Sequence, residues 1–125
     1  MVPEQLVNEV EALRQEGLTI DLTEAEGVIN IIFTDYPVSD YYNKSSTQML
    51  LRFPMSYPLG RSDMFWTTED LLRKDGGVPK SADTIETWVG KRWRRFSWHP
   101  SSWNPGVDNL KTFLEFVNNR LAKRE

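Results

Sequence analysis

The 125-residue sequence contains no cysteine and only one histidine, His99. Without cysteine, the chain cannot form a disulfide, a thiolate metal site or a thioester. One histidine cannot build a histidine-rich metal site, and the acidic residues are scattered rather than grouped at the spacing of metal ligands. We therefore predict that the protein binds no metal and uses no other cofactor.

The sequence also lacks a long apolar run and a basic N-terminal segment. Its hydrophobic runs fall far short of the roughly 20 residues that cross a bilayer. Residues 1–17 are acidic and polar, unlike a signal peptide. These absences predict a cytoplasmic protein without a membrane partner. Since 39% of the residues are hydrophobic, we expect residues 1–125 to fold as a single domain with a real core.

Positive charge is concentrated at one place. The net charge is −3, which would repel a phosphate backbone, yet a basic run at residues 91–95 (Lys91, Arg92, Arg94 and Arg95) holds four cations. Such a run could bind an acidic partner or a nucleic acid, and it is equally typical of a solvated strand edge. A nucleic-acid-binding module with tryptophans as stacking platforms is thus a third hypothesis. The acidic total argues against it, and we expect no nucleic-acid partner.

Hydrophobic periodicity predicts a helix at each end of the chain and strands between them. Apolar residues at helical spacing indicate a first helix over 3–16, ended by Gly17, and a last helix with Asp108 as its N-cap. Alternating or β-branched segments, with a turn at Glu26-Gly27, indicate an antiparallel meander. Its four strands are expected around 18–22, 28–34, 47–53 and 63–67.

Residues 68–103 have no regular pattern. A short strand is conceivable at 84–89, but tryptophan recurs every fifth residue from 88 to 103, which matches neither the helix nor the strand period. We expect several short pieces anchored by buried rings. The predicted fold class is therefore α+β, with an N-terminal helix, a four-strand antiparallel meander, an irregular segment and a C-terminal helix.

Two segments resemble the ubiquitin-conjugating (UBC-like) fold. FPMSYPLGRSDMFW at 53–66 is similar to the Tyr-Pro connection between the family's third and fourth strands. SWHPSSWNPGVDNLKTFLEFV at 97–117 is similar to the stretch where a Trp followed by a Pro introduces the helix behind the active site. Together with DGGVPKSAD at 75–83, these motifs resemble the bacterial proteins called prokaryotic UBC-like family E over roughly residues 18–121.

The resemblance implies a conjugating role and a set of partners. Family E proteins occur beside ubiquitin-like proteins, activating-type adenylyltransferases and peptidases, which are the partners implied here. The chain departs from standard conjugating enzymes because it lacks both the acceptor cysteine and a His-Pro-Asn ahead of it. The one His-Pro, His99-Pro100, follows the expected position. Thioester transfer is therefore excluded.

Ser97 is the residue nearest to the family's cysteine position, six residues before Trp103, and Ser101 and Ser102 are competing hydroxyls. A serine needs a base within hydrogen-bond reach to act as a nucleophile, and histidine titrates in the working pH range. In an extended segment, residues at i and i+2 lie on one face. We predict Ser97 as the nucleophile and His99 as its base, although a lone histidine among aromatic residues is often structural.

Other groups of the expected site are less defined. Asp83 or Asp108 could orient the imidazole, backbone amides or Asn104 could stabilise the oxyanion, and Trp98 is the tryptophan expected to line the site. The leading hypothesis is a protein that accepts a ubiquitin-like modifier from an activating adenylyltransferase as an oxyester on Ser97 and passes it to a target. The alternative is a catalytically inactive UBC-like scaffold that binds the modifier or the activating enzyme non-covalently.

Overall fold

A computed structural model of the chain describes residues 2–123. It has a helix at each end and a six-stranded antiparallel sheet between them, with strand order β1-β2-β3-β4-β6-β5. The elements are α1 Glu4–Gln15, β1 Thr19–Ala25, β2 Val28–Pro37, β3 Ser46–Pro54, β4 Phe65–Thr68, β5 Thr84–Trp88, β6 Lys91–Phe96 and α2 Leu110–Leu121. The predicted α+β class with terminal helices is confirmed, and the predicted count of four strands is wrong.

The strand count differs because residues 84–96 form a hairpin, where several short pieces were predicted and a short strand was only conceivable at 84–89. β5 pairs with β6 along its whole length, and Val89 and Gly90, both at positive φ, make the two-residue turn. The other edge of β6 pairs with β4, so β6 lies inside the sheet. Its sequence, KRWRRF, lacks β-branched residues and is rich in arginine. Strand propensity therefore did not predict β6.

The main core lies between the sheet and the two helices. The helices contribute the apolar stripes that their periodicity predicted, and the strands contribute alternate residues, as expected for a sheet with one covered face. Aromatic rings fill much of this layer, and Phe65 on β4 stacks on Phe96 of β6 with ring centroids 4.8 Å apart. Fully burying one such side chain contributes roughly 1.5–3 kcal/mol.

The opposite side of the sheet, which we call the helix-free face, carries a second and smaller apolar cluster. Leu50, Trp66 and Trp93 are buried there, and the half-buried Trp88 packs against them. Three of the five tryptophans therefore lie on this face. These three tryptophans come from the neighbouring strands β4, β5 and β6, so their spacing along the sequence follows neither the helix nor the strand period.

The helix α2 begins one residue later than the sequence predicted. Asn109 is its N-cap, because its side-chain oxygen accepts from the Thr112 amide (3.0 Å) and the Thr112 hydroxyl accepts from the Asn109 amide (2.9 Å). These reciprocal bonds form a capping box. Asp108 instead accepts from the amide of Asn104 at 2.7 Å, so the prediction of Asp108 as N-cap is wrong.

The cap gives a direct stability test. Replacing Asn109→Ala removes the side-chain oxygen that accepts from the Thr112 amide, and we expect a loss of about 1 kcal/mol of unfolding free energy in urea titrations. Asn119→Ala is the matched control, because Asn119 is exposed within the same helix, where alanine has the better helix propensity. Equal losses in the two variants would contradict the assignment of the cap.

Candidate functional site

Ser97 lies directly after the last residue of β6 and is held there by its backbone. Its amide donates to the carbonyl oxygen of Ser81 at 2.9 Å, and its side chain is half-buried. Its Oγ accepts a hydrogen bond from Nε of Arg95 at 3.1 Å. Arg95 is two residues earlier on the same face of the strand, so the hydroxyl lies against a guanidinium group.

His99 lies two residues beyond Ser97 in a stretch without regular secondary structure, and its side chain is exposed. Within residues 2–123 no hydrogen bond joins the two side chains. Of the two acids that were expected to orient the imidazole, Asp83 is exposed and Asp108 accepts from the Asn104 amide. The assignment of Ser97 as nucleophile and His99 as base therefore stays a prediction.

The other residues predicted for the site have structural contacts or face solvent. The side-chain oxygen of Asn104 accepts from the Gly106 amide at 3.0 Å, within the turn that precedes α2. Trp98 donates from its indole nitrogen to the carbonyl of Lys80 (3.2 Å), and its ring packs on the guanidinium of Arg120 at 3.9 Å. Both competing hydroxyl residues, at 101 and 102, are exposed.

A carboxylate that the sequence argument missed organises the neighbourhood of Ser97. Glu86 on β5 accepts from the indole nitrogens of Trp66 (2.9 Å) and Trp88 (3.1 Å) and from Nη1 of Arg95 (2.9 Å). Burial opposes ionisation of Glu86, but the two indole donors and the Arg95 charge outweigh it and lower the pKa of the carboxyl. The contact between Glu86 and Arg95 could have been predicted only from knowledge of the β5–β6 hairpin.

The basic run 91–95 is divided between the two faces of β6. Arg94 is 9% exposed and donates to the carbonyl oxygens of Glu69 and Ala82. Arg92 forms an ion pair with the Glu69 carboxylate at 3.0 Å. Because β6 pairs with a strand on each side, the prediction of a solvated strand edge is wrong, and the cations do not form one continuous surface.

The two segments that carry the family resemblance contact each other. The indole nitrogen of Trp103 donates to the carbonyl of Pro58 at 2.8 Å. The Tyr57 hydroxyl donates to the Glu9 carboxylate of α1, which also accepts from the amide of Leu110, the first residue of α2, at 3.0 Å. Burial and the neighbouring Glu9 raise the pKa of Tyr57, so its hydroxyl remains a donor. These bonds fix the segment 97–109 at Trp103 and at its C-terminal end.

The described part of the chain shows neither a metal centre nor a transmembrane helix. Within residues 2–123, no three histidine, aspartate or glutamate side chains are grouped so that they could hold a metal ion. In the same range, none of the helices combines the length and the apolar character needed to span a bilayer.

The order of an N-terminal helix, an antiparallel sheet and a C-terminal helix is consistent with a UBC-like fold. The sequence matches prokaryotic E2 family E over residues 6–124, and the chain belongs to this family. Comparison with curated proteins and with solved structures gave no significant match. Membership implies a ubiquitin-conjugating-like role that involves a ubiquitin-like modifier and an activating enzyme.

The lowered pKa of Glu86 makes a testable prediction for acid stability. Because the folded-state pKa lies below the unfolded value, Glu86 contributes stability above its unfolded pKa, and this contribution is lost as the pH falls through the folded-state pKa. Glu86→Gln should lower the unfolding free energy at pH 7 by about 1–3 kcal/mol and reduce its decrease in acid. Tryptophan fluorescence during urea unfolding at pH 7 and pH 3 measures both effects.

Glu115→Gln is the control for this experiment, because Glu115 is exposed on α2. It should leave the unfolding free energy at pH 7 and its acid dependence close to those of the unmodified protein. If Glu86→Gln behaved like Glu115→Gln, Glu86 would not hold the network together.

Proposed function

We propose that this protein accepts a ubiquitin-like modifier from an activating adenylyltransferase as an oxyester on Ser97 and passes it to a target. The observation that carries the proposal is the hydrogen bond from Arg95 to Ser97 Oγ, on the residue nearest to the family's cysteine position. A fixed hydroxyl next to a cation is better suited to nucleophilic attack than an exposed serine in a loop.

The proposed transfer needs one base and no cofactor. Ser97 Oγ attacks the C-terminal acyl carbon of the modifier, and its proton passes to the imidazole of His99. The bond between that carbon and the activating enzyme then breaks, and the imidazolium protonates the leaving group. His99 is exposed, so its side chain has room to rotate toward Ser97, and catalytic hydrogen bonds often tighten only in the complex.

The remaining parts of the proposal concern partners and surroundings. An oxyester is less reactive toward lysine than a thioester, so discharge to a target calls for a further partner. We propose an associated peptidase as another partner, no binding to nucleic acid or membrane, and a cytoplasmic location for this single UBC-like domain.

A second candidate function is supported by the lack of a hydrogen bond between the Ser97 and His99 side chains within residues 2–123. Ser97 Oγ already accepts a hydrogen bond from Arg95, while within residues 2–123 His99 makes no hydrogen bond to it. A scaffold that binds the modifier or the activating enzyme non-covalently requires no reactive hydroxyl. This candidate differs from the first in one measurable property, because it forms no covalent adduct.

The identity of the acceptor oxygen is tested with the activating enzyme, the modifier and ATP. The unmodified protein should form an adduct that resists thiol reductants and is cleaved in alkali, whereas Ser97→Ala should form none. Ser97→Cys should convert the linkage to a thioester that thiols cleave. Ser101→Ala and Ser102→Ala are matched controls, and both should form the alkali-labile adduct at the normal level.

This experiment distinguishes the two candidate functions and can also reject Ser97 as the acceptor. An undiminished adduct on Ser97→Ala would show that another group accepts the modifier. Binding of the modifier or of the activating enzyme, with no covalent species in any variant, would favour the scaffold and reject the carrier.

A further inference from the structure

Arg95 touches the oxygen atom that the proposed function makes reactive. Its Nε donates to Ser97 Oγ at 3.1 Å, and its Nη1 donates to Glu86 Oε2 at 2.9 Å. Residues 95 and 97 share the helix-free face of β6, because the intervening Phe96 is buried in the main core. One guanidinium group therefore joins the carboxylate of β5 to the hydroxyl at the end of β6.

The guanidinium group is held in one orientation. Glu86 is itself fixed by the indole nitrogens of Trp66 and Trp88, and the side chains of Arg95 and Glu86 are only 28% and 25% exposed. Partial exclusion of water strengthens a charge–dipole interaction relative to the same interaction on an open surface. A donor that is already in position need not reorganise when charge develops on its acceptor.

We propose that Arg95 is a catalytic residue of the transfer, in which its Nε–H stabilises the negative charge that develops on the Ser97 oxygen during attack on an acyl group. This inference rests on the proposed function. A guanidinium stays protonated and cannot act as the base, so the hydroxyl proton goes to His99. The bond from Oγ to the acyl carbon forms while the bond from that carbon to the activating enzyme breaks.

The hydrogen bond from Arg95 to Ser97 Oγ also assists discharge, when the modifier leaves Ser97. An amine of the target then bonds to the acyl carbon, the bond from that carbon to Oγ breaks, and the proton lost by the amine returns to Oγ. Arg95 stabilises the departing alkoxide in this step. The Nε–H group of Arg95 therefore stabilises the Ser97 oxygen in both loading and discharge. Help in discharge matters because the oxyester is less reactive than a thioester.

The absence of cysteine makes a test possible without any partner. In Ser97→Cys the new thiol is the only one in the chain, so the pH dependence of its alkylation by iodoacetamide reports the pKa of that thiol alone. We expect a value below the ordinary 8.5 or so. Arg95→Gln in this background should raise the value by about 1 unit, because a positive charge in contact favours the thiolate.

Two further variants check the sign and the locality of the effect. Glu86→Gln removes the negative charge that faces Arg95, so it should lower the pKa of the thiol. Arg92→Gln is the matched control, because it removes the same charge three residues away on the opposite face of the same strand, and it should leave the value unchanged. A thiol with an ordinary pKa in the Ser97→Cys background, or equal effects of Arg95→Gln and Arg92→Gln, would overturn the inference.

Adduct formation separates this inference from the proposed function. With Ser97 present, Arg95→Gln should slow formation of the alkali-labile adduct by about 10- to 1,000-fold, whereas Arg92→Gln should have no effect. A normal rate for Arg95→Gln would overturn the role of Arg95 and leave the carrier function intact. If the unmodified protein formed no adduct while the thiol shifts were as expected, the carrier function would fail and the catalytic role of Arg95 with it, and only the electrostatic contact between Arg95 and residue 97 would stand.

Discussion

The contact of one guanidinium group with two oxygen atoms, one on Glu86 and one on Ser97, is the interaction on which the proposed site depends. It exists only because the β5–β6 hairpin brings Glu86 beside Arg95 and because β6 continues directly into Ser97. A hydroxyl in a mobile loop would gain no such fixed partner. In the proposed carrier, the fold thus supplies the orientation and the charge that the Ser97 hydroxyl needs as a nucleophile.

The helix-free face shows how the protein maintains a charged network beside an apolar cluster. The indole rings of Trp66 and Trp88 pack in the smaller apolar cluster of this face, and their N–H groups donate to Glu86. Each ring therefore has both an apolar and a polar contact. The guanidinium of Arg52 covers the Trp88 ring at 3.5 Å, in a cation–π geometry. Hydrogen bonding of the half-buried Glu86 carboxylate avoids the cost of an unpaired charge.

Much of the fold follows from local sequence patterns, whereas the site does not. The apolar stripes of both helices and the alternation in β1 to β3 predicted those elements, because burial on one face leaves a direct periodic signal. β6 has no such periodic pattern. Arg94 is buried because it donates hydrogen bonds to the carbonyl oxygens of Glu69 and Ala82, and Trp93 is buried because it packs against residues of neighbouring strands. The cap shifted from Asp108 to Asn109 because only Asn109 has Thr112 at the third helical position. Ser97 was singled out by resemblance, but its contact with Arg95 and Glu86 depends on strand pairing that is non-local in sequence.

Prokaryotic E2 family E is the family of this chain, and the central claim is that Ser97 replaces the family's cysteine as the acceptor of the modifier. Tandem mass spectrometry of the isolated adduct tests this claim most directly. Cleavage after Arg95 and Lys111 yields a peptide of residues 96–111, in which fragment ions distinguish Ser97 from Ser101 and Ser102. The account predicts the acyl group on Ser97; its location on another serine, or on a lysine as an isopeptide, would contradict the account.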